Sequence, residues 1–138
     1  MSQGELFTGL IEQIPEGDSK VCSKCKKRKL ITSFGTVNGG LSRPECRSCM
    51  SEMVQIRNKL RLTETFPSSD YTCPICEQGT EEVKNYGGKN NTAWVLDHCH
   101  KTENFRGWLC HRCNRGLGAF SDDIGTLEKA IHYLEENK

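Results

Sequence analysis

The stretch Trp94-Val-Leu-Asp-His-Cys-His-Lys-Thr-Glu-Asn-Phe-Arg-Gly-Trp-Leu-Cys-His-Arg-Cys-Asn114 decides how this chain is read. Thr92-Ala-Trp-Val-Leu96, rich in aromatic and β-branched residues, predicts a strand. Lys101–Asn104 is a turn, and Phe105 with Gly107-Trp-Leu109 is the returning strand. Cys110 to Phe120 then enters a helix. The product is a ββα unit with Asp97-His98 at the end of its first strand and Asn114 on its helix. An acidic metal ligand, a neutral imidazole and an amide oxygen are what a one-metal phosphodiesterase gathers around a phosphate. Neighbouring strand residues normally point to opposite faces, so Asp97 and His98 converge only where the strand ends or is irregular.

Outward from this stretch, the cysteines set the frame. Eight of the nine fall into Cys-x-x-Cys pairs: Cys22/Cys25, Cys46/Cys49, Cys73/Cys76 and Cys110/Cys113. Two such pairs per module read as two four-cysteine zinc sites, which suits a chain only 35% hydrophobic that needs a staple. With four thiolates available at the second site, His98 is not needed as a zinc ligand. A thioredoxin-like redox role fits one Cys-x-x-Cys, not four. A secreted disulfide framework finds no support, because Met1-Ser-Gln-Gly-Glu-Leu6 has no basic start and no apolar stretch resembles a signal core or a membrane span. The expected compartment is reducing, cytoplasmic or nuclear. The leftover Cys99 reads as an inert buried thiol.

The net charge of +1 hides an asymmetry. Lys20 to Leu62 carries eleven Lys/Arg against two acidic residues, +9, and each flank carries −4. A basic middle segment is the footprint of a nucleic-acid partner. A solvated zinc knuckle is the plainer alternative. Lys26, Lys27, Arg28 and Lys29 lie inside the proposed zinc loop and favour nucleic acid.

The organisation that follows is α+β. Residues 1–19 are a short helix or arm with an apolar face at Leu6, Leu10, Ile11 and Ile14. Residues 20–49 form a zinc-ribbon-like module, with a strand expected over Lys29–Phe34 and a turn at Asn38-Gly-Gly40. Residues 50–70 hold a basic helix and a linker; Met50, Met53, Val54, Arg57, Leu60 and Arg61 recur at helical spacing over residues 50–62. Arg57, Lys59 and Arg61 are phosphate-contact candidates whose stems can also pack. Residues 71–138 form the zinc-stapled ββα-metal core. They end in an amphipathic core helix capped by Ser121 or Asp122, with Ile124, Leu127, Ala130, Ile131 and Leu134 facing inward and His132 structural or solvated.

Leu96-Asp-His-Cys-His-Lys-Thr102 followed by Arg106-Gly-Trp-Leu-Cys-His-Arg-Cys-Asn-Arg-Gly-Leu-Gly118 resembles the phage recombination endonuclease VII family, within the His-Me finger (HNH, ββα-metal) nucleases. The resemblance covers roughly residues 71–136. It implies structural zinc on Cys73, Cys76, Cys110 and Cys113; the zinc site of Cys22, Cys25, Cys46 and Cys49 rests on the cysteine spacing, in a module outside the family core. It implies Mg2+ (or Mn2+) on Asp97 and Asn114, and His98 as general base. His100 keeps the family identity and would contact the phosphate or leaving group. The family pattern reads Asp-His-Asp-His where this chain has Cys99 in third place, and Gly116-Leu117-Gly118 offers no acid one turn after Asn114. The implied protein is a homodimeric endonuclease on double-stranded, branched or distorted DNA, in a bacterial or phage-infected cytoplasm. Lys26, Lys27, Arg28, Lys29, Arg57, Arg61 and Arg106 are its expected DNA contacts. A sequence-specific or nicking HNH enzyme, and a zinc-dependent DNA-binding protein without catalysis, are the alternatives.

Overall fold

The computed structural model describes residues 17–138. The expected N-terminal arm lies outside the described residues up to residue 16, and its last residue, Ser19, already belongs to a strand. Two compact units follow, the first ending at Gln55 and the second running Ile56–Lys138.

In the first unit β1 (Ser19–Val21) and β2 (Arg28–Leu30) pair antiparallel around the first Cys-x-x-Cys. The knuckle is closed by the Lys26 N–H on the Cys22 carbonyl at 3.0 Å and the Cys22 N–H on the Lys27 carbonyl at 3.0 Å. This places Lys26 at φ +60, a left-handed conformation that costs a side-chain-bearing residue about 1–2 kcal/mol. The strand expected over Lys29–Phe34 is broken. Residues Ile31–Ser33 form a 3-10 turn, begun by the Ile31 N–H on the Asp18 carbonyl at 2.8 Å. The break has a packing cause: it leaves Ile31 near the surface and turns Phe34 inward, to 1% exposure.

Next, β3 (Phe34–Thr36) and β4 (Ser42–Cys46) form a second hairpin, reversed at Gly39 and Gly40 with φ +89 and +80 as Asn38-Gly-Gly40 predicts. β4 ends on Cys46, and α1 (Arg47–Thr63) begins on the next residue. The helix therefore starts earlier than the apolar pattern of residues 50–62 predicts. A Cys46-x-x-Cys49 spacing puts both thiols on one side of a helical turn. Phe34 packs with Cys22, Cys46 and Cys49 and is the large apolar side chain of this core. So small a core gains little from apolar burial alone, and an ion held by the four cysteines would supply much of its folding free energy.

The second unit repeats the plan. The Glu77 N–H bonds the Cys73 carbonyl at 2.8 Å, the Cys73 N–H bonds the Gln78 carbonyl at 2.9 Å, and Glu77 sits at φ +60. A short helix, α2 (Thr80–Val83), follows. Then β5 (Trp94–His98) and β6 (Phe105–Cys110) pair antiparallel, and α3 (His111–Ala119) begins directly after Cys110. Trp94 stands opposite Cys110 as Phe34 stands opposite Cys46. The core gathers Val83, Trp94, Leu96, Trp108 and Leu109 with Cys73 and Cys110; Leu60, Tyr71, Tyr86 and Leu117 cover it. Tyr71 meets Trp94 edge to face at 4.9 Å and donates its hydroxyl to the Trp108 carbonyl at 3.0 Å. Gly87 is required by close approach, since a Cβ there would collide with the His111 imidazole. That imidazole bonds the Thr92 carbonyl at 2.8 Å and ties the loop before β5 to α3.

The last helix, α4 (Ile124–Glu136), corrects two expectations. Its cap is Asp123, whose Oδ2 accepts from the Thr126 N–H at 2.7 Å. Ser121 and Asp122, at φ 57 and 52, form the left-handed turn before it. It is also not a core helix. None of its residues is buried, and Ile124 and Leu134 are 73% and 67% exposed. Helical spacing shows that one face is apolar but says nothing of what covers it. No described helix is long and apolar enough to cross a membrane.

Candidate active site and metal clusters

Each unit holds four cysteine sulfurs within 4.8 Å of one another: Cys22, Cys25, Cys46 and Cys49, and Cys73, Cys76, Cys110 and Cys113. Four thiols, converging from a knuckle and a strand–helix junction, are the donor set of a closed tetrahedral zinc site. Their acidities are split. The Ser48 hydroxyl and the Cys49 N–H pull the Cys46 thiol down, whereas burial and the adjacent thiols push Cys49 up. In the second cluster burial is outweighed at Cys73 by N–H groups of Cys110, Cys76 and Ile75, which draw it down, while burial and its neighbours push Cys113 up. Four thiolates this close cannot all carry charge without a cation among them. The residues fit Zn2+.

The second cluster anchors the candidate catalytic residues. Asp97 and His98 close β5, and the ladder shifts register between them. Asp97 stands opposite Gly107 and His98 opposite Phe105, leaving Arg106 as the extra residue of a bulge on β6. A bulge re-aims side chains at a strand end, and here both Asp97 and His98 are buried, 9% and 5% exposed. The irregularity that the pair needs in order to converge is therefore present. Asn114 is half-buried in the first turns of α3, one residue after Cys113. The Cys110 sulfur caps that helix by accepting the Cys113 N–H at 3.4 Å. α3 packs on both β5 and β6, so Asp97, His98 and Asn114 ride on one ββα frame.

Around the pair lies a charged cluster. Arg106 grips Asp97 with both arms of its guanidinium, Nε to Oδ2 at 2.8 Å and Nη2 to Oδ1 at 2.9 Å, and reaches Asp122 Oδ2 at 3.2 Å. His100 stacks on His98 with ring centroids 4.9 Å apart and lies 3.7 Å from Asp122 Oδ2. Burial lowers the His98 pKa first; His100, Arg57 and Arg106 lower it further, against an upward pull from Asp97. The neutral imidazole is thus favoured. Cys99 is half-buried, not buried as expected, and the Thr102 hydroxyl and the N–H groups of Thr102 and Lys101 draw its thiol down to about 7.

The basic residues divide. Lys29 is committed to the first cluster, its Nζ donating to Cys46 Sγ at 3.3 Å and Ser48 Oγ at 3.1 Å. Arg106 is committed to Asp97 and Asp122. Lys26, Lys27 and Arg28 are exposed in the first unit, and Arg61 is exposed on the C-terminal half of α1. Arg57, half-buried on that same half, is near enough to His98 to act on its acidity. Sequence reasoning missed Asp122 as a site residue. Its only signal was the Asp122-Asp123 pair, which reads naturally as a helix cap.

Comparison with known proteins agrees with this geometry. The family model of recombination endonuclease VII matches residues 48–136, which takes in most of α1 as well as the core expected from residue 71. Among curated proteins none matches the sequence. Among solved structures the chain is similar to the ββα-Me type II restriction endonuclease Hpy99I, with 34% sequence identity and a TM-score of 0.53. The match covers 88% of this chain and 67% of that one.

Proposed function

Because the chain belongs to the recombination endonuclease VII family, and is a metal-dependent endonuclease of the ββα-Me type, we propose that it is a Mg2+-dependent DNA endonuclease acting on branched or otherwise distorted DNA. The observation that carries the reading is the burial of Asp97 and His98 side by side at a bulged strand end, on the frame that also bears Asn114.

Asp97 and the Asn114 side-chain oxygen would hold the divalent ion, since both are hard oxygen donors. When bound, Mg2+ (or Mn2+) stabilises charge on the phosphate and the departing 3′ oxygen. His98, kept neutral by burial and by the cations around it, takes the proton from the attacking water. Arg106 keeps the Asp97 carboxylate aligned. His100, stacked on His98 and beside Asp122, contacts the phosphate or the leaving group. One Zn2+ in each four-cysteine cluster is structural. Lys26, Lys27, Arg28, Arg57 and Arg61 contact DNA phosphates, which position the duplex without reading its sequence. The working form is a homodimer, because paired nicks on opposing strands need two active sites, and α1 is its candidate contact.

The test is a His98→Ala variant on a four-way junction with Mg2+. Cleavage is expected to vanish while DNA binding and two zinc ions per chain persist; cutting at the wild-type rate would sink the mechanism. A second reading, sequence-specific cleavage of linear duplex, is favoured by one observation, that the similar structure is a restriction endonuclease. Junction and linear substrates compared side by side separate the two.

A further inference from the structure

The same hairpin that carries Asp97 and His98 borders a cavity of about 430 Å³ in the second unit. This lies within the range of about 300–1,000 Å³ typical of small-molecule sites. Its walls include Trp94, Trp108, Phe66, Asn90, Asn91 and Arg61, with Glu64 alongside. Trp94 and Trp108 belong to the two strands of the hairpin that also carries Asp97 and His98.

Its chemistry is that of a nucleotide receptor. Phe66 meets Trp108 edge to face at 5.1 Å and 69° and remains 51% exposed, so its ring is available for stacking. Stacking on an aromatic ring accepts any base. The Asn90 side-chain amide offers a donor and an acceptor matching a base edge, Asn91, whose Nδ2 donates to the Gly87 carbonyl, offers its oxygen, and the Glu64 carboxylate can accept from an exocyclic amine. Arg61 supplies a guanidinium for the phosphate. None of these groups is used by the cleavage chemistry.

We propose that this cavity receives one unstacked nucleotide of the DNA substrate, its base against Phe66 and its phosphate toward Arg61. The proposal rests on the reading of the chain as a DNA endonuclease acting on distorted DNA, and its content is the place in the second unit that would hold an unpaired nucleotide of such a duplex. Such nucleotides are the least costly to draw out of the stack, so a pocket for one base turns DNA distortion into affinity.

The chain's two tryptophans, Trp94 and Trp108, both line the cavity, which gives a readout independent of cleavage. The experiment follows tryptophan emission of the His98→Ala protein, without added Mg2+, during titration with three probes. These are a short duplex carrying one unpaired nucleotide, the same duplex fully paired, and a free deoxynucleoside monophosphate. The unpaired duplex is expected to quench emission and to bind about tenfold more tightly than the paired one, which binds with little quenching. Phe66→Ala and Asn90→Ala, checked for unchanged zinc content, are each expected to reduce that preference at least about fivefold. Equal quenching by both duplexes overturns the proposal, as does a preference that survives in both variants. Quenching by the free nucleotide with no preference between duplexes also overturns it, because the cavity then serves soluble nucleotides. If the preference holds but wild-type protein cuts no DNA, the cleavage assignment fails alone. Cutting without the preference makes the cavity assignment fail alone.

Discussion

The guanidinium of Arg106 holds both carboxylate oxygens of Asp97, at 2.8 and 2.9 Å, and extends its remaining reach to Asp122. Because Arg106 is the extra residue of the β6 bulge, the irregularity in the ladder between Asp97 and His98 also supplies the clamp on Asp97.

The clamp is geometric as well as electrostatic, so Arg106→Lys should not replace it, since an ammonium lacks the planar fork. Cleavage at saturating Mg2+ is expected to fall at least about tenfold in both Arg106→Lys and Arg106→Gln, with the zinc content unchanged. Single-turnover rates on a junction substrate check this. A lysine variant cutting at the wild-type rate would show that charge alone suffices.

Burial and nearby cations hold His98 below the ordinary histidine value of about 6.5. A group with a lowered pKa loses its proton earlier as the pH rises, so the base is already in its working form in mildly acidic solution. The metal-dependent rate is expected to climb through the acidic range, with a midpoint below about 6.5, and to be level by about pH 7. An ion neutralising Asp97 removes that carboxylate's upward pull on His98 and shifts the midpoint the same way. A midpoint above about 7 contradicts the assignment.

Metal removal should act on the two clusters separately. Cys25→Ser is expected to lower the zinc content from two ions to one and to disorder the first hairpins, while the signals of the Trp94/Trp108 core persist. Cys76→Ser should abolish that core's cooperative unfolding, because structural zinc contributes on the order of 10 kcal/mol to domains this small. Elemental analysis combined with near-UV circular dichroism distinguishes these outcomes.

Two glycines give opposite expectations. Gly87→Ala drives a methyl group into the His111 imidazole, with an expected loss of about 1–3 kcal/mol. Gly118 lies in α3 with nothing near its missing Cβ, so Gly118→Ala should stabilise by about 0.5–1 kcal/mol. Chemical denaturation of the two variants provides the comparison, and a Gly87→Ala protein as stable as the wild type would refute the packing described for the loop before β5.

The ββα core was legible because its signals are local: the β-rich Trp94–Leu96 run, a polar turn, and a Cys-x-x-Cys spacing that opens a helix. What escaped depends on partners distant in sequence. Lys29–Phe34 has strand composition, yet the need to seat Phe34 among the first cluster's cysteines breaks it at Ile31. Arg106 looked like a phosphate contact, since nothing in its neighbours announces a bulge opposite Asp97. Asp122 was hidden as a cap, and only the left-handed turn through Ser121 and Asp122 brings it to Arg106 and His100. α4 showed its apolar stripe plainly, but periodicity carries no information about depth.

The knuckle, hairpin and helix occur twice, and one copy lacks the reactive groups. Where Asn114 follows the last cysteine of the second cluster, Met50 follows that of the first. Where Asp97 and His98 come after Trp94, Val37 and Asn38 come after Phe34. The molecule thus contains its own blank. Whatever a reagent, a metal or a temperature does to both halves alike belongs to the scaffold. An Mg2+ effect confined to the second half is the one expected of Asp97, His98 and Asn114, which the first half lacks.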